Sequence, residues 1–181
     1  MSSSPTRRRL LYGGVAVAAA AAGLGGAWWR ERGSGVKGEA LDAAFWTQRF
    51  ERPEGGELVF ADLRGKPLLL NFWATWCPPC VEEMPMIDRF FREHGGNGWQ
   101  VVGLAIDQPS AVRKFLQKTP VSYPTGLAGL QGTELVKSLG NTAGGLPFTL
   151  VLNGSGTVAA RKMGKLEPAD LDTWRRELVH G

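Results

Sequence analysis

Leu68-Leu69-Leu70-Asn71-Phe72-Trp73-Ala74-Thr75-Trp76-Cys77-Pro78-Pro79-Cys80 is the stretch on which the reading of this chain turns. Its first six residues are a short, nearly continuous apolar run, the pattern of a strand buried on both faces of a sheet. Its end holds both cysteines of the chain, separated by two residues. From Pro78 onward Val81, Met84, Ile87 and Phe91 recur at helical intervals, and His94-Gly95-Gly96 marks the stop. Two thiols placed where a strand gives way to a helix can close a small disulfide ring and open it again. A two-electron redox centre is therefore the leading expectation.

A thiol attacks only as its thiolate, so the surroundings must favour a negative sulfur. The unpaired amides and the positive dipole end of a helix do so at the position of Cys77. Pro78 and Pro79 suit the first helical turn, where a missing N–H costs nothing and the fixed φ matches the helix. Cys77 is thus expected to attack a partner's disulfide, and the more shielded Cys80 to resolve the mixed disulfide. Two other readings compete. A structural disulfide gains by closing a long loop, and a two-residue spacer closes almost none. A structural zinc site wants about four ligands, and the remaining soft candidates, His94 and His180, stand isolated as helix-end histidines. No metal is expected. The Met84/Met86 pair reads as packing rather than copper ligation.

Working outward, Leu41, Phe45, Trp46 and Phe50 fall at near-helical spacing and suggest a short amphipathic helix. Leu58-Val59-Phe60 reads as an edge strand, followed by a turn over 63–67. Gln100 to Ile106 and Phe148 to Leu152 read as buried strands, and residues 110–118 and 131–139 as helices. Asn153-Gly154-Ser155-Gly156 predicts a hairpin into residues 157–163, and Glu167 to Val179 a closing helix opened by Pro168. Trp73, Trp99 and Trp174 read as core residues, and Asp107-Gln108-Pro109 as a loop without a chemical signature. Strands alternating with helices, plus a terminal hairpin, predict an α/β sandwich with a mixed central sheet flanked by helices.

The net charge of +4 does not mark a nucleic-acid binder. Residues 1–38 carry six basic side chains against Glu31, and the rest holds fifteen basic against sixteen acidic ones. The basicity belongs to the leader. Residues 10–29 contain no charge and match the roughly 20 residues of one membrane span. Arg7, Arg8 and Arg9 precede them, which keeps the amino end in the cytoplasm. The expected organisation is a signal-anchor over 1–29, a Gly-rich tether over 30–40 and one domain over 41–181. A cleaved signal is the alternative, and Thr6 to Leu11 loosely matches a twin-arginine export signal. Either way the domain is expected outside the cytoplasm, anchored at the inner membrane and periplasmic, where disulfides persist.

LLLNFWATWCPPC, followed by Glu82-Glu83-Met84-Pro85 and much later by GGLPFTLVLNGSG, resembles the thioredoxin superfamily. Within it the chain is similar to membrane-tethered, extracytoplasmic thiol–disulfide oxidoreductases of the TlpA/ResA type, over about residues 41–179. The resemblance implies that Cys77 and Cys80 are the redox pair, with Trp76 the aromatic residue before it. It implies that Pro85 kinks the active-site helix, where the residues alone read a helix end. It also implies that Pro147 is a cis-proline facing the disulfide, leaving the Leu146 backbone to pair with an extended substrate strand. Asn71 stands where cytoplasmic thioredoxins carry a buried aspartate, and it cannot ionise. Glu83, one helical turn after Cys80, matches a glutamate of TlpA/ResA-type proteins whose implied role is acid–base assistance; Glu82 reads as a solvated carboxylate.

The expected activity is reduction of protein disulfides. The resemblance implies clients such as apocytochrome c, its maturation machinery or proteins of copper-site assembly, with electrons from an upstream membrane thiol carrier. No cofactor is implied beyond the Cys77–Cys80 pair itself. An oxidase of the same fold is the first rival, and a peptide- or copper-binding module without turnover is the second.

Overall fold

The computed structural model describes residues 38–178. Among them no helix is long and apolar enough to cross a membrane; the charge-free run 10–29, most of the tether and His180 lie outside the described residues. The chain begins with a one-turn helix α1 (Ala43–Trp46), whose cap Asp42 accepts the Phe45 N–H at 2.9 Å. A hairpin of β1 (Arg49–Glu51) and β2 (Glu57–Val59) follows, then a 3-10 turn over Phe60–Leu63. β3 (Leu68–Trp73), α2 (Pro78–His94), β4 (Gln100–Ala105), α3 (Pro109–Lys118), β5 (Thr125–Leu127) and α4 (Gln131–Ser138) alternate. β6 (Phe148–Leu152), β7 (Val158–Met163) and α5 (Pro168–Leu178) close the fold.

The strands form one mixed sheet in the order β2-β1-β5-β4-β3-β6-β7. β3, β4 and β5 run parallel, while β6 lies antiparallel to β3 and to β7. All six residues of β3 are buried, because helices cover both faces of this central strand. Its side chains alternate between two cores. Leu68, Leu70 and Phe72 join Phe45, Trp46, Leu104, Val136 and Phe148 on one face. Leu69 and Trp73 point the other way, beneath α2, α3 and α5, among Ile87, Val101, Val112 and Trp174. Asn71 shares this second face and is fully buried.

The mixed-sheet α/β sandwich matches the expectation, with three local corrections. The helix read from Leu41 to Phe50 is confined to Ala43–Trp46, and Phe50 lies in β1 opposite Leu58. Phe50 is apolar because its ring packs on Phe60 (5.1 Å between centroids), not because a helix continues. The edge strand ends at Val59, so Phe60 enters the core from the 3-10 turn instead. β5 was not legible, having only three residues. Gly126 within it admits the hairpin closely: a Cβ there would lie 2.8–3.0 Å from Leu104, Phe50 and Leu58. At the start of the described chain, Ala40 bridges Thr157 and the Val158 N–H donates to the Glu39 carbonyl.

Candidate active site

The parallel strands β3, β4 and β5 end on the same edge of the sheet, and the redox pair sits there. Cys77 caps α2 and is joined to Cys80 by a disulfide with Cα atoms 5.3 Å apart. Pro78 and Pro79 fill the first helical positions, as read from the sequence. Cys77 is 4% exposed and Cys80 fully buried, so an incoming sulfur reaches Cys77 first. Trp76 beside them is 66% exposed, an apolar ring left on the rim. Pro85 lies inside α2, which continues through it to His94, so the helix end suggested by the residues alone is corrected. A proline there leaves the carbonyl four residues earlier without its helical donor.

The Leu146–Pro147 peptide is cis. Leu146 is half-buried and packs against the cluster that contains both cysteines. Among the described residues neither its N–H nor its carbonyl has a backbone partner.

Glu83 is buried on the same face of α2 as Cys80, one turn further along. Its Oε1 accepts from Asn71 Nδ2 at 2.7 Å, and its Oε2 accepts from the Leu166 N–H at 2.6 Å. Asn71 also donates to Thr149 Oγ1 at 3.1 Å. Burial holds the Glu83 carboxyl above its ordinary 4.5, and the hydrogen bonds from Leu166 and Asn71, with the charges of Lys165 and Lys162, offset this only in part. Glu82, its neighbour, is exposed and pairs with Lys165 at 2.7 Å. A buried carboxylate whose pKa burial raises, on the Cys80 face of α2, is suited to take and return a proton.

Asp107 turns out to hold the loop that presents Cys77. Its Oδ2 accepts the Thr75 N–H at 3.0 Å and the Thr75 hydroxyl, and its Oδ1 accepts the Gln108 N–H at 2.7 Å. The available signal was topological: the carboxyl ends of adjacent parallel strands lie side by side, so an aspartate after β4 faces the loop after β3. The Leu166 amide carried no sequence signal, since a backbone donor looks the same in every residue. Met84 packs with Cys80 and Met86 against a different cluster, so they do not form a pair. His94 stacks edgewise on Phe90. Among the described residues no group of three or more His, Cys, Asp or Glu side chains is placed to hold a metal ion.

Residues 47–174 match the Redoxin family. The chain is 27% identical over 127 residues to the thiol–disulfide oxidoreductase ResA of a Bacillus cereus strain, covering 70% of this chain and 71% of that one. It is 29% identical to the ResA of Halalkalibacterium halodurans over 106 residues, 58% of each chain. Among solved structures, a thioredoxin-family thiol:disulfide interchange protein from Chlorobium tepidum TLS superposes with a TM-score of 0.69 at 24% identity, over 81% of this chain and 99% of that one. StoA from Bacillus subtilis superposes with a TM-score of 0.59 at 24% identity, over 71% and 95%. The fold, the Cys-x-x-Cys disulfide at the head of α2 and these similarities agree: the chain belongs to the Redoxin family, and within the thioredoxin superfamily it is a thiol–disulfide oxidoreductase of the TlpA/ResA type.

Proposed function

We propose that the protein is an exported, membrane-tethered reductase of protein disulfides. The observation that carries this reading is the buried Glu83 carboxylate, gripped by Asn71 and Leu166 on the Cys80 face of α2. In the reduced protein the Cys77 thiolate, stabilised by the amino end of α2, attacks a client disulfide and forms a mixed disulfide. Cys80 then passes its proton to Glu83 and displaces the client sulfur from Cys77. Two electrons move from the Cys pair to the client, and the Cys77–Cys80 disulfide remains. The exposed Trp76 ring and the unpaired Leu146 backbone offer an extended client segment an apolar contact and a strand to pair with. The Cys pair is the only redox group the cycle needs.

Electrons return through exchange with a thiol carrier in the membrane, which fits a domain tethered by residues 10–29. Clients of the cytochrome c maturation route suit a reductase outside the cytoplasm, where free thiols must be made and kept.

A Cys80→Ser variant of the full chain tests the reading. Without the resolving thiol the reaction halts at the mixed disulfide, so client proteins are expected to accumulate on Cys77 as adducts that dithiothreitol releases. Clients that bind without a covalent adduct would instead identify a binding module.

A further inference from the structure

A row of polar side chains crosses the sheet at the level of Asn71. Asn71 lies beside Gly103 on β4 and Thr149 on β6, and Gly103 lies beside Thr125 on β5. These positions face the same side, under α2 and α3. Gly103 is required by close packing. A Cβ there would lie 2.9 Å from Tyr123 Cε2, 3.1 Å from Trp73 Nε1 and 3.5 Å from Thr125 Oγ1.

Around this glycine, four buried polar atoms have no protein partner among the described residues: Asn71 Oδ1, Trp73 Nε1, the Tyr123 hydroxyl and Thr125 Oγ1. Their side chains are 0–3% exposed. Buried polar groups are seldom left unpaired, and such clusters commonly hold ordered water. On the far side, Tyr123 and Thr125 line a cleft of about 320 Å³, together with Arg52, Arg113 and Ser122. The row therefore joins the Glu83–Asn71 pair to this cleft.

We propose that Trp73, Tyr123 and Thr125 form a buried water site beside Gly103, and that this site carries the proton exchanged by Glu83 to and from the cleft. The proposal rests on the reading of Glu83 as the base for Cys80. When Cys80 resolves a mixed disulfide, its proton goes to the Glu83 carboxylate and its sulfur bonds to Cys77. The client sulfur leaves with the electron pair of the broken bond. Glu83 must pass that proton on for the Cys80 thiolate to persist long enough to attack; otherwise the proton returns to the sulfur. Water held by Asn71 Oδ1 and the Trp73 N–H receives it, and the Tyr123 and Thr125 hydroxyls pass it on without ionising. Burial, then the Asp88 and Glu83 carboxylates, push the Tyr123 phenol far up, so it stays neutral. The groups that face Glu83 are Asn71 from β3, the Leu166 amide, Lys165 and Lys162 from the β7 side, and Tyr123 from the β5 side. The opposite exit is less suited, because Lys162 there is a cation already bound to Asp170 at 2.7 Å.

Reaction of the reduced full chain with 5,5′-dithiobis(2-nitrobenzoate) separates the steps. The first thionitrobenzoate release reads the attack by Cys77, the second the resolution by Cys80. Tyr123→Phe with Thr125→Val removes both hydroxyls at nearly constant volume. The expected result is an unchanged first release and a second release slowed about tenfold, a fraction of the ~10²–10⁴ supplied by a positioned acid–base group. Glu83→Gln is expected to slow the second release at least as much. It should also remove the rise of that rate as pH climbs through the Glu83 pKa, since only the carboxylate accepts the proton. A second release left unchanged by the double variant but slowed by Glu83→Gln overturns the path and keeps the base. One unchanged by Glu83→Gln overturns both. In the unmodified protein the Trp73 indole N–H should show a nuclear Overhauser contact to water, and its absence overturns the water site whatever the variants do.

Discussion

Cys77→Ser is expected to abolish disulfide exchange, by about 10⁴-fold or more, the order seen when a covalent nucleophile is removed. A serine hydroxyl is not ionised near neutrality and is a poor nucleophile toward sulfur. Cys80 cannot substitute, because it is fully buried whereas Cys77 has the exposed edge. The fold should survive. The disulfide joins residues only three apart, so it closes too short a loop to restrain the unfolded chain strongly. A nearly unchanged melting temperature with lost exchange is therefore the expected pair of results. Unfolding of the variant would show that the disulfide is structural, and retained exchange would remove Cys77 from the chemistry.

Phe72→Ala is expected to cost about 3–5 kcal/mol, the range for truncating a fully buried aromatic side chain. Phe72 is 0% exposed in the central strand, and its ring stacks on Phe148 with centroids 5.7 Å apart. It belongs to the core on the side of the sheet away from the cysteines, so the cavity opens there. Urea denaturation measures the loss. Trp76→Ala, on the exposed rim, should stay within about 0.5 kcal/mol in the same assay. Equal losses at the two positions would contradict the burial that defines the sheet.

Legibility followed from how each feature is encoded. The Leu68–Trp73 strand, the prolines and cysteine opening α2 and the Asn153–Gly156 turn are written in consecutive residues, and they stand where the sequence placed them. Glu83 was separable from Glu82 because one helical turn sets a face; the structure buries the first and ties the second to Lys165 at the surface. β1 and β5 are three residues each, too short to show an alternation, and Phe50 mimicked a helical stripe by chance of spacing. The grip of Asp107 on Thr75 and the row through Gly103 depend on strand register. Register is a property of pairs of distant segments, and no local pattern announces it.

The most direct measurement of the proposed direction is the redox state of Cys77 and Cys80 in growing cells, by acid quench followed by thiol alkylation. A mostly reduced pair is expected, since a reductase in an oxidising compartment must be fed electrons continuously. A mostly oxidised pair would contradict the reductase and point to an oxidase on the same fold.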